Sequence, residues 1–188
     1  MLNQIKITKE WEEAIIDLII ADIREREFVT DSTGILQLSA EYSGVLAVHL
    51  SHKLSRCGQP LPIEVIKIPL TNEFPLKIDQ EILDRYSRLI IADSGCMSGN
   101  NFKNTYKILM DYGFRRESLL FVCCTSNTDA IFKPDICPVY FPLKHLMVQF
   151  DWECKTNIWD KSTKFDQVNK NGSNKQFIPL VETNGRYS

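Results

Sequence analysis

"RLIIADSGCMSGNNFKNTYKILMDYG", residues 88–113, is the stretch whose reading decides the fold. An aliphatic run at residues 89–92 stops at Asp93, passes through Ser94, Gly95, Ser98, Gly99, Asn100 and Asn101, and enters an amphipathic segment closed by Gly113. The pattern predicts a strand at 89–92, a loop at 93–101 and a helix near 102–112. In open parallel sheets, ligands bind beyond the carboxyl ends of strands, where loops meet the starts of helices. Glycines there let backbone N–H groups turn toward an anion, and the helix start adds partial positive charge. No Gly-Lys-Ser/Thr follows, so the loop is not of the Walker A type, and Gly95 with Gly99 does not make G-x-G-x-x-G. The segment is a candidate phosphate or ribose site. The plainer reading is a polar strand-to-helix turn in which Ser and Asn serve as caps.

Units of the same kind surround this stretch. Trp11, Ala14, Ile15, Leu18, Ile19 and Ile23 recur at helical spacing, with Glu10, Glu12 and Glu13 near the start, where the helix dipole favours negative charge. Residues 34–39 predict a strand and 43–54 a helix closed by Gly58 and Pro60. The β-branched run at 63–68 predicts a further strand, residues 69–77 carry the breakers of a loop, and a brief helix is expected at 79–86. "SLLFVCCT" at 118–125 is continuously apolar, as for a strand covered on both faces. "VYF" and "LMVQF" end the series. The alternation predicts an α/β domain with a mostly parallel central sheet flanked by helices, over residues 1–153. Beyond it, residues 154–188 form a polar C-terminal extension, partly loop, with a returning strand expected at 177–181.

Composition narrows the function classes. The 188 residues are 44% apolar and 24% charged, values of an ordinary globular protein. A formal charge of -2 supplies no broad field for nucleic acid or an anionic membrane. The apolar stretch at 14–23 is too short to span a bilayer and contains Asp17 and Asp22. No secretory signal is read at residues 1–8, so a cytoplasmic location is expected.

The six cysteines show no C-x-x-C spacing, and Cys123 with Cys124 sits inside an apolar run, which reads as reduced, buried thiols. His49 and His52 stand three apart without a carboxylate pair beside them, so they read as surface or packing histidines and no metal ligand is assigned. Cys96 lies beside a helix start, which lowers a thiol pKa. No histidine base is near it in sequence, so it is not read as a nucleophile.

The quoted loop resembles the ribose 5-phosphate loop of type I phosphoribosyltransferases, in which an apolar strand leads into two acids and a D-[ST]-G-x-T stretch. Asp93 matches the first acid, Ser98 the phosphate-binding hydroxyl, Gly99 the glycine, and Asn101 stands where the second threonine would be. Ser94 replaces the second acid and Met97 the third. "ITKEWEEAI", "GILQLS", "GVLAVHLSHKL", "FKPDICPVYFP" and "VQFDWE" follow the order of the xanthine and hypoxanthine branch, so the resemblance covers about residues 7–153. In that branch the loop after the first strand reads S-R-G-G and folds around pyrophosphate. Here it is Ser39, Ala40, Glu41 and Tyr42, which places a carboxylate where an anion would lie.

The resemblance implies transfer of a phosphoribosyl group from phosphoribosyl pyrophosphate to a purine-type nucleobase, with Mg2+ as cofactor. It implies that Asp93 is the catalytic acid, holding ribose hydroxyls. Ser94, Gly95, Ser98, Gly99, Asn100 and Asn101 would form the ribose-phosphate site, and Ser39, Ala40, Glu41 and Tyr42 the pyrophosphate loop. Lys133 would bond the base and Trp152 stack on it. The expected partner is a phosphorylated sugar or nucleotide, and a homodimer is compatible with the resemblance. Two other readings stand beside the transferase. One is a nucleotide- or phosphate-binding regulatory protein that has lost turnover. The other is a related enzyme on a different nucleotide or nucleoside, with Glu41 as a polar contact or general base.

Overall fold

The structure is a computed structural model that describes residues 3–38, 43–66, 80–142, 146–150 and 177–179. It divides into two compact units, Met1–Glu13 with Leu143–Ser188, and Ala14–Pro142. The expected boundary at residue 153 falls outside the described residues.

In the smaller unit, strand β1 (Asn3–Ile7) runs parallel to both β7 (Leu146–Phe150) and β8 (Phe177–Pro179). Ile7 and Phe150 are register partners, and both are buried. This unit accounts for the expected returning strand near 177. It also changes one expectation: "LMVQF" does not end the central sheet but belongs to this separate three-stranded one. β1 itself was not expected.

The larger unit carries the candidate site. Helix α1 (Lys9–Glu25) presents Ile15, Ile16, Ile19, Ile20 and Ile23 to the core at helical spacing, and all five are buried, whereas Trp11, Ala14 and Leu18 of the expected stripe are exposed because the buried face is turned toward Ile16 and Ile20. Strand β2 (Thr33–Leu38) follows, then α2 (Ser43–Lys53), β3 (Ile63–Ile66) and the short α3 (Gln80–Leu83). Strand β4 (Arg88–Cys96) leads into α4 (Asn100–Asp111), and β5 (Leu119–Asn127) and β6 (Val139–Phe141) complete the set. The five strands form one wholly parallel sheet in the order β3-β2-β4-β5-β6, the mostly parallel architecture expected.

β5 is buried along nearly its whole length, which explains its unbroken apolar sequence. On one face of the sheet, Leu36, Leu38, Leu89, Ile91, Phe121 and Cys123 pack with Phe102 and Leu109 of α4. Phe102, Tyr106, Phe121 and Phe132 form a ring cluster there, with Phe121 and Phe132 centroids 4.8 Å apart. α1 is tied to α2 by Lys53 to Asp17 at 2.5 Å and by the Arg24 guanidinium to the Lys53 carbonyl at 2.6 Å.

Candidate functional site

The strand order contains one place where connections part. From β2 the chain passes to β3 on one side, returns across β2 to β4, and continues to β5 and β6 on the other. The segments leaving the carboxyl ends of β2 and β4 therefore head in opposite directions and leave a crevice between them, the position at which open α/β sheets bind ligands. At β2 the departing segment begins after Leu38 and reaches α2 at Ser43. Ser39, Ala40, Glu41 and Tyr42, which span it, lie outside the described residues, as does Trp152.

At β4 the structure corrects the extent of the loop. Pairing with β5 does not stop at Ala92: Asp93 is the register partner of Cys123, Gly95 of Thr125 and Cys96 of Ser126. The expected loop at 93–101 thus shrinks to residues 97–99, because Asp93, Ser94 and Gly95 continue the strand, while Asn100 and Asn101 open the helix. Gly95 suits this place, since a Cβ there would lie 3.3 Å from the Thr125 hydroxyl.

Gly99 makes the turn. Its φ of 80° is left-handed, and an added Cβ would come within 2.6 Å of the Phe132 backbone nitrogen. The Ile131 N–H donates to the Ser98 carbonyl at 2.9 Å, so backbone from residues 131–132 braces the loop from beyond β5. That brace was not read from the sequence. Its one signal is an apolar Ala130–Phe132 run between Asp129 and Lys133.

Around this turn the polar groups are arranged as follows. The Ser98 hydroxyl accepts the Asn100 N–H at 3.3 Å, and the Lys103 N–H donates to the Gly99 carbonyl at 2.9 Å. The N–H groups of Asn101 and Phe102, which helical geometry aims out of the helix start, find no backbone acceptor among the described residues. Ser98 and Asn100 are exposed, and the Asn101 side chain approaches the carboxyl group of Asp93.

Asp93 is 8% exposed, and burial pushes its pKa up to about 7. Backbone N–H groups of Ser94 and Gly95 and the Asn101 side chain oppose that rise. Cys96 behaves unlike the expectation from its helix-start position: burial pushes its thiol up, against a hydrogen bond with Ser126. Its Sγ donates to the Phe132 carbonyl at 3.5 Å.

Lys133 lies on the connection between β5 and β6, where its ammonium donates to the carbonyls of Asn127 and Thr128. Asp135 of the same stretch bonds the Arg116 guanidinium through Oδ1 and accepts the Phe121 N–H through Oδ2 at 2.8 Å. A separate hollow of about 360 Å³, lined by Tyr86, Tyr112, Phe114 and Arg115 among others, lies beside the amino ends of β4 and β5, away from the crevice. Among the described residues no helix is long and apolar enough to cross a membrane.

No family model matches the chain, and no curated protein matches it. Solved structures do. A purine phosphoribosyltransferase from Pyrococcus horikoshii Ot3 is 17% identical with a TM-score of 0.60, over 80% of this chain and 94% of that one. A xanthine-guanine-hypoxanthine phosphoribosyltransferase from Helicobacter pylori is 15% identical with a TM-score of 0.59, over 85% of this chain and 100% of that one. The chain has the type I phosphoribosyltransferase fold.

Proposed function

We propose that the crevice between the carboxyl ends of β2 and β4 binds a phosphorylated ribose, and that the chain transfers a phosphoribosyl group from phosphoribosyl pyrophosphate to a purine-type base. The observation that carries this reading is the meeting, at the one switch point of the sheet, of a left-handed Gly99 with the N–H groups that open α4. An anion there gains the donors of Asn101 and Phe102 and the dipole of a helix spanning Asn100–Asp111. The exposed Ser98 hydroxyl adds a further donor.

In the proposed reaction a nitrogen of the base attacks C1 of the ribose, the bond from C1 to the pyrophosphate oxygen breaks, and pyrophosphate leaves with the electron pair. The barrier is lowered chiefly by positioning, since no covalent nucleophile is needed. Asp93 holds the end of β4 to the first turn of α4 through Asn101, and so fixes the phosphate donors in place. Lys133 is the described residue that this reading assigns to the base, and the roles expected of Ser39, Ala40, Glu41, Tyr42 and Trp152 fall on residues outside the described ones. The Lys133 ammonium must exchange the carbonyls of Asn127 and Thr128 for the base to do so.

Magnesium enters this reading only as a companion of the substrate. It takes oxygen ligands in octahedral array, and among the described residues no group of three or more His, Cys, Asp or Glu could hold a metal ion. Asp93 is buried against its own N–H donors, and Ser94 stands where a second acid would be. These residues do not fit a magnesium held by the chain, and no step is routed through one.

A second reading, favoured by that same pairing of a sequestered Asp93 with Ser94, keeps the phosphoribosyl pocket and drops the transfer. Pyrophosphate release separates the two. With phosphoribosyl pyrophosphate, magnesium and a panel of purines, release that depends on the base supports the transferase. Saturable nucleotide binding without release supports the binding protein.

A further inference from the structure

A cluster of thiols lies next to the residues described so far without being used by them. Cys96, Cys123 and Cys124 are buried, Cys137 is half-buried, and none of the four forms a disulfide among the described residues. Two of them are aligned by the sheet itself. Thr125 is the parallel register partner of Val139, and Val122 is bridged in parallel to Ile136. The same offset applies to both pairs, so Cys123 and Cys137 are lateral neighbours, and the Cys123 N–H confirms the alignment by donating to the Ile136 carbonyl at 3.1 Å.

Register partners in a parallel pair send their side chains to the same face, and adjacent strands lie about 4.8 Å apart. A disulfide needs a Cα separation of roughly 4.4 to 6.8 Å and Cβ vectors that converge. The lateral spacing of a parallel pair falls inside that range. The thiols are also held in matching positions, since Cys123 Sγ donates to the Thr125 carbonyl and Cys137 Sγ to the Val139 carbonyl, both at 3.2 Å.

We propose that Cys123 and Cys137 are a modification site: a hydroperoxide converts them to an intramolecular disulfide that thiol reductants reverse. Cys137 is the thiol that peroxide meets, because it is half-buried whereas Cys123 is fully buried. A hydrogen bond from Cys123 and another from the Val139 backbone favour the Cys137 thiolate against the opposing effect of burial, and burial holds Cys123 in its thiol form. The Cys137 thiolate attacks one peroxide oxygen, the O–O bond breaks, and a sulfenic acid and hydroxide form. The Cys123 sulfur then attacks the sulfenic sulfur, and the S–O bond breaks. The departing hydroxyl takes up the Cys123 proton and leaves as water, and the hydroxide of the first step takes up the proton that Cys137 released on ionising. In sum, two thiols and one hydrogen peroxide give one disulfide and two waters. The link would fasten β5 to the entry of β6 and fix the ends of the connection that carries Phe132 to Gly99.

The test is oxidation of the folded full-length chain with hydrogen peroxide, followed by alkylation and peptide mapping without reductant. The expected product joins the Cys123 and Cys137 peptides, disappears with dithiothreitol, and is absent from Cys137→Ser. In that variant, Cys123 should remain alkylatable after denaturation. Retention of both thiols under conditions that oxidise the exposed Cys57 would overturn the proposal, as would a link from Cys137 to Cys96 instead. Because the decisive product is read in the unmutated protein, failure of Cys137→Ser to fold leaves the test intact, and Cys137→Ala serves as its replacement.

Discussion

Asp93, buried at the end of β4, meets the side chain of Asn101 in the first turn of α4, so strand and helix are joined by a polar contact beneath the turn at Gly99. The contact has a consequence for stability. Burial raises the Asp93 pKa from 3.8 to about 7, so the folded chain retains a proton that the unfolded chain has released over that window. The fold therefore binds more protons than the unfolded state, and stability falls as pH rises from about 4 to about 7, then levels off.

Asp93→Asn remains neutral throughout and should lack this loss. Urea unfolding at pH 5 and pH 8 should show wild type losing more stability than the variant, by about 3 kcal/mol at most. Parallel pH profiles for the two proteins would show that Asp93 ionises without penalty.

Gly99→Ala places a side chain at φ 80° and within 2.6 Å of the Phe132 backbone nitrogen. The left-handed conformation and the overlap together should destabilise the chain by about 3 kcal/mol. Thermal or denaturant unfolding measures this, and an unchanged midpoint would mean the turn has room to relax.

Asp135→Ala removes both the Arg116 partner and the acceptor of the Phe121 N–H. Arg116 is 42% exposed, so its ion pair contributes little. The stranded N–H of Phe121 dominates, and a loss of about 2 kcal/mol is expected. Asp135→Asn, which retains an acceptor, should recover part of it in the same unfolding assay.

Thr105 is buried on α4, and its Oγ1 has no hydrogen-bond partner among the described residues. Thr105→Val keeps the shape and removes the unpaired hydroxyl, so unfolding should shift toward greater stability by about 1 kcal/mol. A destabilised variant would indicate a partner for that hydroxyl.

The parts of this fold legible from sequence are those governed by local periodicity. Helix α1 and the unbroken apolar run of β5 announced themselves because burial on one helix face or on both sheet faces leaves a pattern within a short window, although of the expected α1 stripe only Ile15, Ile19 and Ile23 are buried. β1 left almost none: its only apolar residues are Ile5 and Ile7, and its partners at 146–150 and 177–179 are distant in the chain. The strand at Ser94 and Gly95 was hidden for a related reason. Their composition reads as a turn, and only pairing with β5 makes them strand.

For the candidate site, the glycine turn and the polar residues around it were legible, whereas their bonding was not. Ser98, Gly99, Asn100 and Asn101 cluster at the start of α4 as expected. That Asp93 turns to Asn101, that Phe132 closes on Gly99, and that Lys133 holds the carbonyls of Asn127 and Thr128 all depend on segments far apart in sequence.

The most direct test of the phosphoribosyl site is a titration of the isotopically labelled chain with ribose 5-phosphate, following backbone amide resonances. The expected result is saturable movement centred on residues 98–102, with ribose alone producing none. Absence of binding at millimolar ligand would contradict the account, as would movement confined to the hollow around Tyr86, Tyr112 and Arg115.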